Sequence, residues 1–107
     1  MSTARFETAS EGHYRVAGVL DAATVPQLLR ESEARIATAS GSDVHIDLGG
    51  VTESDSAGLA LLLEWLRLAK QRNVKVQFAN VPRQVAALAR ISEVEALILP
   101  DAAISQA

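Results

Sequence analysis

Hydrophobic and polar residues alternate along two short segments of the chain, residues 44–48 and residues 74–78. Because successive side chains of a β-strand point to opposite faces, this alternation predicts two strands that are buried on one face only. The pair Gly49-Gly50 is expected to end the first strand. A parallel sheet covered on both faces has continuously apolar strands instead, so the helices are predicted to pack mainly on one face.

Apolar residues recur at helical spacing in the longest periodic segment, from about Ser56 to Arg72. Thr24, followed by Pro26 and Gln27, matches a capping box and predicts the start of an earlier helix. Further strands are expected at residues 5–9, 14–19 and 97–99, with a hairpin turn at residues 10–13 between the first two. The earlier helix is expected to end at Ser40–Ser42. A shorter helix from about Pro82 should bury Val85, Leu88 and Ala89, and the tail after Pro100 is expected to fray.

The predicted order of elements is β-β-α-β-α-β-α-β, in a single domain that spans residues 1–107. Strands separated by helices pair in parallel through right-handed crossovers, and the opening hairpin adds an antiparallel edge. The expected fold class is therefore α/β, with a mixed, mostly parallel sheet of about five strands.

Composition and charge narrow the class of partner and the compartment. The chain has 13 acidic and 10 basic residues without a run of like charge, which argues against a nucleic-acid or anionic-lipid surface. The absence of cysteine excludes disulfides, thiolate metal sites and a cysteine nucleophile. The N-terminus does not resemble a signal peptide, and the longest apolar run, Leu59–Leu63, is far below the roughly 20 residues of a membrane span. A soluble cytoplasmic protein without direct membrane insertion is expected.

Catalytic signatures are missing from the sequence, which has no GxxxxGK[ST], GxGxxG, GxSxG or HExxH motif. His13 falls in a turn and His45 on the polar face of a strand, and neither has an evident orienting or co-ligating partner. A solvated strand face also explains why His45 and Asp47 lie on the same side. The chain is therefore expected to be no enzyme and to need no cofactor or metal ion.

The residues Asp55-Ser56-Ala57-Gly58, here called the Asp55–Gly58 loop, stand at the start of the leucine-rich helix. Unpaired backbone N–H groups and the positive end of the helix dipole meet at such a position. In the simplest interpretation, Asp55 or Ser56 is the N-cap of the helix. In the functional interpretation, Ser56 is an exposed hydroxyl in a contact loop, and phosphorylation beside Asp55 would disrupt an apolar interface.

The leucine-rich helix carries two apolar stripes. Leu61, Trp65 and Leu68 fall nearly opposite the first stripe, so they either pack against neighbouring helices or point outward. A large aromatic residue flanked by leucines is a common composition for a binding hot spot. We predict that this second stripe is a partner-binding surface continuous with the Asp55–Gly58 loop. The first stripe, which should pack on the sheet, consists of Leu59, Leu62, Leu63, Leu66 and Ala69.

Three segments together resemble the STAS domain family, which includes bacterial anti-sigma factor antagonists and the cytoplasmic tails of sulfate transporters. They are Gly18-Val19-Leu20-Asp21, Val44-His45-Ile46-Asp47-Leu48 and Asp55-Ser56-Ala57-Gly58-Leu59. The resemblance extends from about Tyr14 to Pro100 with the same order and spacing. In the antagonists, the serine that matches Ser56 accepts phosphate from a kinase that is also the anti-sigma factor, so the resemblance implies a phosphoacceptor role for Ser56.

Within that family, residues 56–63, residues 68–70 and the Leu99-Pro100 ending resemble the small STAS subunits of Mla-type phospholipid ABC transporters in Gram-negative bacteria. The resemblance implies a non-catalytic cytoplasmic subunit that binds the ATPase subunit, in a complex with permease and lipid-binding subunits at the inner membrane. Two functions stay open at this point. The chain is either a transporter subunit that supports outer-membrane lipid asymmetry, or an anti-sigma factor antagonist switched at Ser56.

Overall fold

The computed structural model of the chain describes residues 2–37 and 43–99. The predicted helix end at Ser40–Ser42 and the predicted tail after Pro100 lie outside these residues. The elements, in chain order, are β1 (Ala4–Ser10), β2 (His13–Leu20), α1 (Val25–Ala37), β3 (Val44–Ser54), α2 (Ser56–Gln71), β4 (Val76–Ala79), α3 (Arg83–Ile91) and α4 (Glu95–Ile98).

The four described strands form one mixed sheet in the order β1-β2-β3-β4. Strands β1 and β2 pair antiparallel, whereas β2 with β3 and β3 with β4 pair in parallel. The turn between β1 and β2 uses Gly12 with φ +75°, a conformation that glycine adopts without steric cost. The α/β class, the N-terminal hairpin and the mostly parallel sheet are therefore confirmed.

The prediction that the glycine pair at 49–50 ends its strand is wrong, because β3 continues to Ser54. The register between β2 and β3 shifts between Arg15 and Ala17, where β3 advances three residues against two on β2, which marks a β-bulge in β3 at Leu48 and Gly49. A Cβ atom at Gly50 would lie 2.9 Å from the Cβ of Ala17, so the missing side chain lets the two strands approach closely. The glycines bend the strand rather than terminate it.

One face of the sheet forms the core and the other stays open. The core-facing positions of β2 and β3 include Tyr14, Val16, Val44 and Ile46, all of which are buried. The intervening positions His13, Arg15, His45 and Asp47 are exposed or half-buried. This difference confirms that the helices cover mainly one face, because alternate side chains of a strand point to opposite sides.

Helix α2 contacts both α1 and α3, and it also contacts the edge strand β4. Its Trp65 ring lies 5.8 Å from the ring of Phe6 and 6.3 Å from the ring of Phe78, measured between centroids. A helix flanked by two others over a sheet buries more than one stripe, which accounts for its high leucine content. Its buried residues are Gly58, Leu59, Leu61, Leu62, Trp65 and Ala69.

Strand β4 begins at Val76, two residues later than the alternation predicts. The Val74 backbone N–H instead donates to the Ala69 carbonyl at 2.9 Å, after Asn73 has turned the chain with φ +56°. Val74 therefore closes the C-terminal turn of α2 and is buried there. Helix α3 confirms the predicted apolar face, with Val85 and Ala89 buried and Leu88 half-buried.

The strand predicted at residues 97–99 is wrong, because Glu95–Ile98 form the short helix α4. Three consecutive aliphatic residues do not distinguish a strand from a buried helical turn. The Arg90 side chain donates a hydrogen bond to the Glu95 carboxylate, which ties α4 to the end of α3. The sheet therefore has four strands in the described residues rather than about five. None of the helices in residues 2–37 and 43–99 is long and apolar enough to cross a bilayer.

Candidate functional site

Asp55 caps helix α2, as the simplest interpretation of the sequence proposes. Its carboxylate accepts a hydrogen bond from the Ala57 backbone N–H at 2.8 Å, which satisfies one of the donors that a helix start leaves unpaired. Ser56 is consequently the first helical residue and not the cap. Within residues 2–37 and 43–99, the exposed Ser56 hydroxyl has no hydrogen-bond partner, so the fold does not depend on it.

Gly58 lets the end of β3 pack against the first turn of α2. A Cβ atom at this position would lie 1.9 Å from the Ser54 Oγ atom and 3.4 Å from the Leu20 Cβ atom. Ser54 is itself buried, and its hydroxyl donates to the Asp55 carbonyl at 3.1 Å. The glycine of the Asp55–Gly58 loop therefore has a packing role, because a Cβ atom in its place would collide with the Ser54 hydroxyl.

The loop after β2 is held by Asp21 and Thr24. The Asp21 carboxylate accepts from the backbone N–H groups of Ala23 at 2.9 Å and of Thr24 at 3.0 Å. The Thr24 hydroxyl donates to the Val19 carbonyl at 2.7 Å and accepts from the Asp21 N–H at 3.0 Å. The predicted capping box with Gln27 is therefore wrong, because the Thr24 hydroxyl bonds back into the preceding turn and the Gln27 amide bonds along α1.

Parallel pairing brings these two loops to the same edge of the sheet. Leu20 pairs with Ser54, and the Asp55 N–H donates to the Leu20 carbonyl at 3.2 Å. Hydrogen bonds from the Ser2 hydroxyl and from the loop N–H groups hold the pKa of Asp21 below its ordinary value. The Asp21 loop, which lies next to the Asp55–Gly58 loop, therefore carries negative charge at neutral pH.

A protein-family model described as "Mlab, STAS domain" matches residues 4–100, a range that contains both loops and every described strand and helix. The chain belongs to the STAS domain family. The family resemblance seen in the sequence is thus confirmed over almost the whole chain. No curated protein matches this STAS domain by sequence.

Two solved structures are similar to this STAS domain in fold. The anti-sigma factor antagonist SpoIIAA in its unphosphorylated form is 17% identical, with a TM-score of 0.69, and the match covers 96% of this chain and 94% of that one. An anti-sigma-factor antagonist (STAS) domain protein from Planctomyces limnophilus is 18% identical, with a TM-score of 0.67 and coverage of 100% and 99%. At these identities the likeness establishes the STAS fold.

The prediction that Leu61, Trp65 and Leu68 form an exposed docking stripe is wrong for this STAS domain. Leu61 and Trp65 are 1% and 0% exposed, and Leu68 is half-buried against the core. The Trp65 indole N–H donates to the Ser32 hydroxyl of α1 at 2.7 Å, so the polar atom of the ring is paired inside the domain. The predicted helical spacing is confirmed, but α1 and α3 pack against α2 and cover this second stripe.

The exposed surface of α2 is polar and small-sided instead. We call it the outer face of α2 and define it as Ser56, Ala60, Leu63, Glu64 and Arg67, which follow one another at helical spacing. Ser56, Ala60 and Arg67 are exposed, whereas Leu63 and Glu64 are half-buried. Arg67 donates to the Glu64 carboxylate, and this contact lowers the pKa of Glu64. Because the outer face begins at Ser56, it is continuous with the Asp55–Gly58 loop.

His13 and His45, which are far apart in sequence, are neighbours on the open face of the sheet. They occupy directly paired positions of β2 and β3, and their rings stack with centroids 4.6 Å apart and an interplanar angle of 9°. The Nδ1 atom of His13 lies 3.1 Å from the Glu11 carbonyl, to which it can donate. The prediction that His13 falls in a turn is wrong, because β2 begins at His13. The polar strand face of His45 was predicted correctly, but no local pattern indicates the parallel register that pairs the two rings.

Asp47 lies on the same strand face as His45, and its carboxylate accepts two hydrogen bonds. Its carboxylate accepts from the Asn80 side-chain amide at 2.9 Å and from the Gly49 backbone N–H at 2.8 Å. These hydrogen bonds, that of Asn80 first, hold the pKa of Asp47 below its ordinary value. Within the described ranges, no group of three or more His, Cys, Asp or Glu side chains is placed to hold a metal ion.

Proposed function

We propose that this STAS domain is the non-catalytic, MlaB-like subunit of a Mla-type phospholipid ABC transporter in a Gram-negative bacterium. The observation that carries the proposal is the family model, whose description names the Mla branch and which matches residues 4–100. In this role the chain binds the cytoplasmic, MlaF-like ATPase subunit, in a complex with permease and lipid-binding subunits. It lies in the cytoplasm, peripheral to the inner membrane through its partners, and supports outer-membrane lipid asymmetry.

A binding role fits the chemistry of the loops better than a catalytic one. The carboxylates of Asp21 and Asp55 accept hydrogen bonds from backbone N–H groups of their own turns. Groups engaged in this way stabilise the loops and are poorly placed to move protons. The loops therefore supply a fixed shape next to Ser56, and a fixed shape reduces the entropy that is lost when a partner binds.

We assign the ATPase contact to the Asp55–Gly58 loop together with the outer face of α2. The exposed Ser56 hydroxyl has no partner among the residues that the structure describes, and Ala60 has almost no side chain, so another backbone can approach α2 closely at both positions. Both residues stand on a helix that is fixed by its buried leucines and by Trp65. A rigid helix with small exposed residues is a suitable docking element, because little side-chain motion is lost on binding.

The second candidate is an anti-sigma factor antagonist that is switched by phosphorylation of Ser56. The exposed hydroxyl at the first position of a helix favours it, because a phosphate there meets unpaired N–H groups and the positive end of the helix dipole. The same phosphate would place about two further negative charges beside Asp55. The modification would therefore be compatible with the fold while it repels a partner that binds the unmodified loop.

Co-purification distinguishes the two functions. The chain, carrying an affinity tag, is expressed with the ABC ATPase encoded near its gene, and separately with any neighbouring serine kinase of the anti-sigma type. The transporter function predicts a stable complex with the ATPase that survives size-exclusion chromatography. If the ATPase does not associate and the kinase both binds the chain and phosphorylates Ser56, the transporter proposal fails and the antagonist function replaces it.

A further inference from the structure

A cavity of about 530 Å³ lies beside β2, β3 and β4, and it is lined by residues from both faces of the sheet and from α4. Among its lining residues are His13, Arg15, His45, Asp47 and Gln77 from three strands, together with Leu97 of α4. Its volume falls within the roughly 300–1,000 Å³ of typical small-molecule sites. Among the described residues, none of those that line the cavity belongs to α2, so the cavity is separate from the proposed ATPase contact.

The two stacked imidazoles supply a pair of ring nitrogens to this cavity. Their planes are almost parallel and their centroids are 4.6 Å apart, so one group with several oxygen atoms can contact both rings. The Nδ1 atom of His13 is engaged with the Glu11 carbonyl, which leaves its Nε2 atom for a ligand. A fixed tautomer of this kind is how proteins orient an imidazole toward a bound group.

Arg15 supplies the positive charge. It follows His13 on the same face of β2 and is exposed, and its charge is close enough to Asp47 to help lower the pKa of that carboxyl. Gln77 adds an uncharged donor from β4. Among the described residues of the lining, Asp47 is the only carboxylate, and its Oδ1 atom already accepts from Asn80 and from the Gly49 N–H.

We propose that this cavity binds the phosphate monoester group of a small metabolite or of a lipid headgroup. Three groups, His13, His45 and Arg15, match the three oxygens that a phosphate monoester presents, whereas a carboxylate presents only two. A phosphate monoester also has a proton that titrates near pH 6. It can therefore place a P–O–H group against the Nε2 lone pair of His13, which a sulfate ester cannot do.

The test is calorimetric titration of the full chain with sn-glycerol 3-phosphate, with its sulfate ester as a comparison. Binding of the phosphate is expected, and the sulfate ester should bind more weakly. His45→Phe keeps a stacked ring but removes its nitrogens, and Arg15→Gln removes the charge, so each should weaken binding roughly tenfold or more. The matched control is Arg5→Gln, which removes the same charge from the open face outside the cavity and should leave binding unchanged.

Vesicles of phosphatidylcholine with and without phosphatidic acid identify the source of the phosphate. Co-sedimentation that needs phosphatidic acid and is lost in Arg15→Gln identifies a lipid headgroup. Binding of glycerol 3-phosphate without co-sedimentation identifies a free metabolite. No binding of either probe at millimolar concentration overturns the proposal, as does an equal loss in Arg5→Gln and Arg15→Gln. Equal affinity for the sulfate ester overturns the assignment to a phosphate monoester.

Discussion

The indole N–H of Trp65 donates a hydrogen bond to the hydroxyl of Ser32 across the contact between α2 and α1, at 2.7 Å. The Ser32 hydroxyl in turn donates to the Leu29 carbonyl at 2.9 Å, so the buried polar atoms of this pair are satisfied. Both residues are fully buried. The contact fixes α2 against α1 and sets the direction in which the remaining surface of α2 faces.

Trp65→Ala is expected to destabilise the isolated domain by about 3–5 kcal/mol, because it removes a large buried ring and leaves a cavity. The free energy of unfolding in urea measures this loss. The matched control is Leu97→Ala, which truncates a residue that is 60% exposed and should change stability little. A stable Trp65→Ala variant would contradict the assignment of the tryptophan to the core.

Gly58→Ala is expected to destabilise the domain by about 1–3 kcal/mol, because its Cβ would lie 1.9 Å from the Ser54 Oγ atom. Ser54→Ala removes that oxygen and should restore much of the stability in the double variant. Thermal unfolding of the parent, the two single variants and the double variant gives the coupling between the sites. Additive losses would show that the contact between Ser54 and Gly58 does not limit packing.

The periodicity of the α2 sequence identified the helix and both of its apolar stripes, but not what covers each stripe. Whether Leu61 and Trp65 face solvent depends on where α1 and α3 lie beside α2, and that placement follows from crossovers over the sheet. The buried partner of Trp65 is Ser32, a polar residue of another helix. No local pattern connects the two positions, so the sequence alone left both interpretations of the stripe open.

Local sequence signals also gave wrong predictions of secondary structure where tertiary contacts determine the backbone conformation. Gly49-Gly50 has the composition of a strand end, yet pairing with β2 carries the strand through a bulge to Ser54. The triplet at residues 97–99 is apolar enough for a strand, but the contact between Arg90 and Glu95 accompanies a helical turn. The start of α2 was predictable because its cap is local, with Asp55 bonding two residues ahead.

Asn80→Gly is expected to raise the pKa of Asp47 toward its ordinary value of 3.8, since the Asn80 amide is the largest cause of the lowering. Glycine tolerates the backbone of Asn80, whose φ is +55°. A carboxylate with a lowered pKa stabilises the fold above its unfolded pKa, and that contribution is lost as the pH falls through the folded pKa. The stability difference between parent and variant should therefore shrink below about pH 4.

NMR titration of the Asp47 carboxyl carbon measures the pKa, and unfolding at several pH values measures the stability. The matched control is Asn73→Gly, which makes the same substitution at another positive φ, +56°, away from Asp47. An unchanged Asp47 pKa in Asn80→Gly would refute the assigned cause.

Asp55→Ala is expected to cost about 1 kcal/mol of stability, because Asp55 is the residue that caps α2. Ser56→Ala should be close to neutral, since the Ser56 hydroxyl has no partner in residues 2–37 and 43–99. Chemical unfolding of both variants ranks the two side chains. A greater loss in Ser56→Ala than in Asp55→Ala would transfer the capping role to the serine.

Ala60→Arg is expected to abolish ATPase binding without loss of stability, because it places a long charged side chain in the centre of the outer face of α2. Arginine is a good helix former and Ala60 is exposed, so the fold should accept the change. Ala87→Arg is the matched control, since it makes the same substitution at an exposed position of α3.

Ser56→Glu should weaken binding more than Ser56→Ala, because it adds bulk and charge beside Asp55 at a helix end that tolerates a carboxylate. Parent-like affinity in both Ala60→Arg and Ser56→Glu, measured by titration against the purified ATPase, would place the contact elsewhere on the domain. If the loss is confined to Ser56→Glu, the contact is limited to the Asp55–Gly58 loop and α2 serves only to support it.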